Sequence, residues 1–309
     1  MDDFMSRRGS WSLILRRSRP HSRAMWAILA IMLVALSARS GTFSPPDIPD
    51  GEKLVYKVGL ETTEEKTESF VSPREEVTKV TQIITRFTKN GKPYYRFFRA
   101  EQLAGGQINY YTYIFTDFAP LRFVVFEKRM RSTNGRVVKK EITYFDDPEY
   151  TSPPDLNHFF SIPMTVRGMK FEPDAMNGLQ IWFSSHLTPW KMNVIVEGKE
   201  SVTVPAGTFE CWKVRVEPDL KAIFKNWYWI ARMVKPWIPD FYYWFAAEAP
   251  YPLVKYQGVF GPVGVSPPQV QELIEKGTAS KEDREMVTKF SSAPEDLVLY
   301  EDFVEGRNE

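Results

Sequence analysis

The 309-residue chain carries 40 Lys and Arg against 39 Asp and Glu, so it has no global field to draw in nucleic acid or a strongly charged partner. Its 43% hydrophobic and 26% charged content is that of a globular protein with a real core, and its single Cys excludes an intramolecular disulfide framework and a multi-Cys metal site. Aromatic residues make up 15%, a level that points to an all-β core, a ligand cleft or a membrane interface.

Arg7, Arg8, Arg16, Arg17, Arg19 and Arg23 precede an uninterrupted apolar run over residues 24–38, and small residues (Ala35, Ser37, Ala38, Ser40, Gly41) follow. A basic region, a short apolar region and small residues together form the pattern of a secretory signal. The run is about fifteen residues, short of the ~20 that span a bilayer comfortably as a helix. Residues 1–40 are therefore read as a signal peptide, or alternatively as an uncleaved inner-membrane anchor. Either reading places the body outside the cytoplasm, in the periplasm or cell envelope. No Cys follows the run, so a lipoprotein anchor is not available.

After a proline-rich lead-in (TFSPPDIPD), KLVYKVGL reads as a first strand, and the charged residues 61–76 as a solvated loop. TKVTQIITRFT, Asn90-Gly91 and PYYRFFRAE then form a hairpin, because Asn-Gly between alternating apolar runs suits a tight type I′ turn. QINYYTYIFT, LRFVVFEKRMR and RVVKKEITYF continue an antiparallel meander of about five strands. Residues 146–168, with four prolines, read as a crossing loop. Residues 174–187 read as a helix: Met176, Leu179, Trp182 and Phe183 lie near helical spacing and Asp174 is a candidate cap.

Residues 192–216 (MNVIVEGKESVTVPAGTFECWKVRV) give the clearest hairpin. Val202 and Val204 alternate with polar neighbours on one arm, and Trp212, Val214 and Val216 on the other. Pro205 cannot donate to a ladder and Gly207 can take positive φ, so the corner between the arms is a turn. Residues 221–244 form an aromatic insertion, with a helical stripe through Ile223, Phe224, Trp227, Ile230, Ala231 and Val234 that Pro236 and Pro239 stop. Phe241 to Phe245 and Leu253 to Tyr256 read as strands. Two short polar helices, 267–276 and 281–290, with Ser266 and Ser280 as N-caps, lead into an acidic tail.

The order GEKLVYKV, an aromatic meander, one helix, VTVPAGTFECWKVRV and PYPLVKYQG resembles the domain of unknown function 3108 family, over roughly residues 51–258. The resemblance implies an exported protein of a bacterial envelope and no assigned activity. More distantly the chain is similar to the open barrel of periplasmic lipoprotein carriers and receptors, which shelter acyl chains against a helix. The insertion 221–244 and the C-terminal helices depart from that pattern.

Catalytic patterns are weak. No G-x-S-x-G elbow, phosphate loop or dinucleotide fingerprint is present, Cys211 lies within a strand where a small buried hydrophobe is the default, and His158 and His186 lack a close-spaced partner ligand. The chain is read as a non-enzyme with no cofactor and no metal site.

The expected fold is mainly β with minor α: a curved antiparallel sheet, or half-open barrel, of eight to ten strands. It spans residues 41–262, wraps around helix 174–187, and is followed by a C-terminal helical and acidic region, 263–309. Function is read as binding of a hydrophobic or lipidated ligand on the concave face, with Trp182, Phe224, Trp227, Trp229, Trp237 and Trp244 as ligand-binding residues and Pro205 and Gly207 as the structural turn. Basic residues beside Trp also suit a membrane surface. The alternative is an envelope structural or assembly protein that turns the same Trp-rich surface to a protein partner, its concave face filled by its own side chains. An envelope hydrolase is a distant third.

Overall fold

The computed structural model describes residues 43–44, 46–60, 76–116, 123–131, 136–144, 156–158, 161–182, 190–224, 229, 233, 235, 240–259 and 268–296. The apolar run 24–38, most of the charged loop 61–76, Trp227, Trp237, His186 and Ser266 lie outside them. Residues 40–309 form one compact unit, separate from 1–39.

Strands β1 (Glu52–Leu60), β2 (Val77–Lys89), β3 (Lys92–Leu103), β4 (Ile108–Thr116), β5 (Phe123–Arg131) and β6 (Val137–Tyr144) form the expected meander. Then come β7 (Leu156–His158), helix α1 (Ile162–Val166), β8 (Met176–Trp182), β9 (Trp190–Val204) and β10 (Gly207–Pro218). Helix α2 (Leu220–Phe224), β11 (Phe241–Ala246), β12 (Leu253–Val259), β13 (Pro268–Thr278) and helix α3 (Lys281–Phe290) complete the order. All thirteen strands among the described residues belong to one sheet in the order β6-β5-β4-β3-β2-β1-β13-β12-β11-β10-β9-β8-β7. Every described neighbouring pair is antiparallel except β7–β8. The end strands β6 and β7 do not pair, so the sheet curves without closing, although β7 comes within 8 Å of β5 between Cα atoms.

The turns follow the sequence chemistry. Asn90 (φ 50°) and Gly91 (φ 73°) link β2 to β3 in the double positive-φ geometry of a type I′ turn. Val204 pairs with Gly207 (φ 131°) across Pro205-Ala206, as the hairpin reading requires.

Cross-strand partners share a face, so the register traces which side chains point inward. Tyr113, Phe97, Ile84 and Glu52 form one row, and Tyr111, Arg99, Gln82 and Leu54 the next. Glu101, Val80, Tyr56 and Leu273 follow, then Val58, Gln271, Tyr256, Tyr243, Val214 and Val196. Helix α1 lies on this face. Its Ile162 and Val166 join the core formed by β1 and β8–β13, and its Met164 joins Tyr95, Phe97, Tyr113 and Phe115. One short helix thus serves both halves of the sheet. The lead-in packs beside it: Ile48 is fully buried in the Met164 cluster, and the Tyr95 hydroxyl donates to Pro46 O at 2.5 Å. Ser44 N–H donates to Gly168 O at 2.8 Å, and a Cβ at Gly168 would meet Ser44 O at 1.8 Å, so this approach needs glycine.

Arg167 caps α1 and fixes its place. Its Nη1 and Nη2 donate to the two carboxylate oxygens of Glu52 at 2.5 and 2.9 Å, and its Nε donates to Pro250 O at 2.7 Å, with both side chains almost fully buried. On the opposite face, α3 covers Ile83, Phe98, Ala100 and Tyr110 with Val287 and Phe290, the Tyr110 and Phe290 rings stacking at 4.2 Å. Ser280 and Asp283 form a capping box at its start.

Four expectations are corrected. Residues 174–187 hold no helix in the described part: Asp174 (φ 62°) is a turn residue rather than a cap, and β8 runs from Met176 to Trp182. There Asn177, Leu179 and Ile181 are buried while Met176 and Gly178 are exposed, a period of two that β9 enforces by pairing. The polar helix at 267–276 is β13, inserted between β1 and β12, so the β unit does not end at 262. The insertion ends before Phe241, where β11 begins. The helix on the inner face is α1, inside the stretch read as a crossing loop; Pro163 stands in its first turn, where a missing N–H costs nothing. The ten strands read from sequence are all present, and β7, β8 and β13 are the additional three.

Removing one member of a buried ion pair leaves an uncompensated charge, at a cost of about 3–5 kcal/mol. Glu52→Ala is therefore expected to lower unfolding free energy by that order in a denaturant titration. Glu52→Leu combined with Arg167→Met is expected to recover most of the loss.

Candidate functional site

Two regions carry chemistry: the inner face and the insertion. The inner face is apolar and aromatic except for a polar band. Arg99 and Glu101 are 2% and 5% exposed, with Arg99 Nε donating to Glu101 at 2.7 Å. Both stand two and four residues beyond Phe97 on the inward parity of β3. Gln82, Asn109 and Gln271 are also buried, and Gln271 Nε2 has no hydrogen-bond partner.

Five buried phenols lie within electrostatic reach of Arg99: Tyr56, Tyr111, Tyr113, Tyr243 and Tyr256. Burial is the largest influence on each and raises it above the ordinary 10.0, while the Arg99 charge acts in the opposite sense. The phenols are neutral and serve as packing groups with one polar tip; Tyr56 donates to Leu253 O and Tyr256 to Val259 O. A channel wide enough for an acyl chain would leave its lining side chains open, yet Tyr56, Tyr113 and Phe245 are fully buried and Tyr243 and Tyr256 nearly so. Among the described residues these inner-face rings are closed to solvent.

Of the six residues expected to bind ligand, Trp229 and Trp244 have described side chains. Trp182 ends β8 and Phe224 ends α2, with side chains outside the described set, as are Trp227 and Trp237 altogether. Trp244 belongs to β11 and is 6% exposed. Its Nε1 donates to Glu200, and the ammonium groups of Lys255 and Lys213 lie 5.5 and 5.8 Å from its ring. Trp229 stands apart from this: it is 60% exposed, and Met233, four residues on, is 64% exposed. Lys235 ties the end of the insertion to the sheet through Glu217 at 2.8 Å and Asp240 at 2.6 Å.

Of the remaining candidates, Cys211 has a described side chain, while the side chain of His158 and the whole of His186 lie outside the described residues. Cys211 is fully buried, and burial, aided by Glu210 and Glu200, pushes its thiol up to about 12. Among the described residues no group of three or more His, Cys, Asp or Glu stands close enough to hold a metal ion. Arg99 and Glu101 were missed from sequence: β3 is buried on both faces, so its parity does not show which charges point inward. The signal available was a charged pair in step with Tyr95 and Phe97.

Since the phenols are raised above 10.0 when folded and titrate near it when unfolded, the folded state holds more protons above that pH. Stability is therefore full below about pH 10 and falls as pH rises beyond it. Tyrosinate absorbance of these five groups should appear together with loss of tertiary structure in an alkaline titration. Their ionisation in a still-folded protein would contradict the buried placement.

A search of curated proteins returned no match. Among solved structures, a Bacteroides fragilis protein described as having a YmcC-like fold shares 12% identity, with 77% of this chain and 100% of that one covered and a TM-score of 0.31. A β-barrel-like protein of domain of unknown function DUF1849 from Brucella abortus shares 8%, covering 74% and 98%, with a TM-score of 0.34. The hypothetical lipoprotein YmcC of Escherichia coli shares 10%, covering 84% and 98%, with a TM-score of 0.28. Nothing about activity is transferred at these scores. The family described as protein of unknown function DUF3108 matches residues 54–257, about two thirds of the 309-residue chain, and the chain belongs to that family.

Proposed function

We propose that this is a non-enzymatic protein of the cell envelope, exported by its N-terminal segment, that meets a hydrophobic partner through the exposed part of its aromatic insertion. The basic and apolar order of residues 7–41 supports export into the periplasm. The observation that carries the reading is the contrast between two aromatic sets. The inner-face aromatics are sealed, whereas Trp229 and Met233 present apolar surface to solvent on the insertion. Large side chains held out of the core cost free energy in water, about 25 cal/mol per Å² of apolar area, which a hydrophobic partner returns.

The closed inner face favours a scaffold over a carrier with a stored acyl chain. One observation favours the concave-face reading instead: the buried polar band around Arg99, with Gln271 Nε2 lacking a partner, could fix a small polar ligand if the sheet opened. A Cys211 thiol that is buried and held protonated supports a non-catalytic role.

Native mass spectrometry of the full chain recovered from its exported fraction, with solvent extraction of bound material, separates the two. The expected result is a mass with no tightly held ligand. Stoichiometric co-purifying acyl species, retained in a Trp229→Ala, Met233→Ala variant, would place a ligand inside the sheet and overturn the reading.

A further inference from the structure

We propose that a small inorganic anion of halide size binds at Arg96, Thr112 and Ser292, where the end of α3 meets strands β3, β4 and β5. The proposal is independent of the reading of the insertion. The register brings these groups together on the face opposite α1. Thr112 of β4 stands across from Phe98 of β3 and Glu127 of β5, and Arg96 lies two residues before Phe98 on the same side of its strand. The turn that ends α3 closes over them. Arg96 Nη2 donates to Ser292 O at 3.0 Å, and Ser292 N–H donates to Glu127 Oε2 at 2.8 Å. All four residues are buried.

Two observations point to a ligand. The first is that Arg96 Nε and Thr112 Oγ1 are buried polar atoms with no hydrogen-bond partner. A buried donor left unpaired is costly, and most so on a charged group. The second is charge. Two arginines, Arg96 and Arg129, share one buried carboxylate, and Arg129 takes it: its Nε donates to Glu127 Oε1 at 2.6 Å. The other nitrogens of Arg129 reach Lys289 O at 3.2 Å and Ser292 Oγ at 3.5 Å, fastening the last turn of α3. Arg96 keeps Ser292 O and the Phe87 ring, 5.1 Å from its Cζ. Glu127 and the exposed Glu295 act on Arg96 electrostatically, but burial is the larger influence and holds its pKa below the ordinary 12.5.

An anion answers both. It accepts from Arg96 Nε and Thr112 Oγ1, and from the Ser292 hydroxyl, whose oxygen already accepts from Arg129. It also balances the second guanidinium. A water molecule would satisfy the hydrogen bonds and leave that charge uncompensated, which favours the ion. Glu127 faces the same cluster and opposes an anion, but both of its oxygens are engaged, by Arg129 and by Ser292 N–H. Single donors from three separate elements suit a compact spherical acceptor better than a planar carboxylate. The bound ion would pin the end of α3 to the sheet.

The test follows thermal unfolding of the full chain across a sodium bromide series, with sodium gluconate holding ionic strength constant. Arg96→Met removes the surplus charge, and Thr112→Val removes one donor while keeping the side chain's shape. The expected result is a Tm that rises with the logarithm of bromide concentration in the unaltered chain and does not rise in Arg96→Met. Thr112→Val should need several-fold more bromide for the same rise. Crystals grown in bromide should show an anomalous scattering peak within hydrogen-bond distance of Arg96 Nε. The proposal is overturned if bromide leaves Tm unchanged, or raises it equally in the unaltered chain and in Thr112→Val, since the halide would then act elsewhere. A site that holds a water only, with no anomalous peak, would overturn it too. If Arg96→Met does not fold, Thr112→Val and the anomalous map still decide.

Discussion

The two-pronged contact between Arg167 and Glu52 is the constraint on which the rest of the sheet depends. It joins the end of α1 to the first residue of β1, and Arg167 Nε reaches Pro250 O in the loop before β12. With α1 held there, Ile162 and Val166 face the β8–β13 half and Met164 faces the β2–β4 half. Without that helix, the inner-face rings of both halves of the sheet would lose the Ile162, Met164 and Val166 side chains packed against them. A buried ion pair is a poor source of net stability compared with apolar groups of similar size, but it has only one satisfactory geometry. Its contribution here is to place the helix that fills the core.

That filling divides the molecule's aromatics by role. The tyrosines around Arg99 are large, neutral and sealed; the Tyr56 and Tyr256 hydroxyls donate to backbone carbonyls, and Tyr111 lies beside Glu101. Trp212, Tyr242 and Trp244 of β10 and β11 lie with lysines against their rings, Lys199 on Trp212 and Lys213 on Tyr242 among them, which covers their faces without burying the charges. The exposed Trp229 and Met233 fit neither pattern. A carrier built on the same sheet would need an emptier inner face, whereas a scaffold that presents one surface benefits from a full one.

Much of this architecture is legible in the chain because local signals and tertiary pairing agree. Asn90-Gly91 and Pro205–Gly207 allow few other turns, and the runs on either side of each alternate cleanly enough to give strand, partner and register together. The readings failed where tertiary pairing overrode local preference. PQVQELIEKG is rich in good helix formers, yet it lies between β1 and β12, and closing the gap between them outweighs its propensity. Around Gly178 the apolar residues fit helical and strand spacing almost equally, and pairing with β9 decides for the strand. Helix α1 was hidden because five residues are too few to show a period and prolines surround them. Within the candidate site, Trp244 was grouped with the insertion by composition, but its position in β11 makes it part of the sheet. The inward direction of Arg99 and Glu101 depends on which face of β3 meets α1, information held by residues some sixty positions away.

The claim that α1 is a permanent filling of the sheet, and not a lid over a ligand space, is tested most directly by native-state hydrogen exchange. The backbone amides of Val166, Gly168 and Met169, bonded in and just after the helix, should exchange in the same slow class as those of Leu54 to Val58 in β1, through global unfolding alone. Exchange of the helix amides through a separate, much lower-energy opening, with β1 still protected, would show that the inner face opens in the folded protein and would contradict the account.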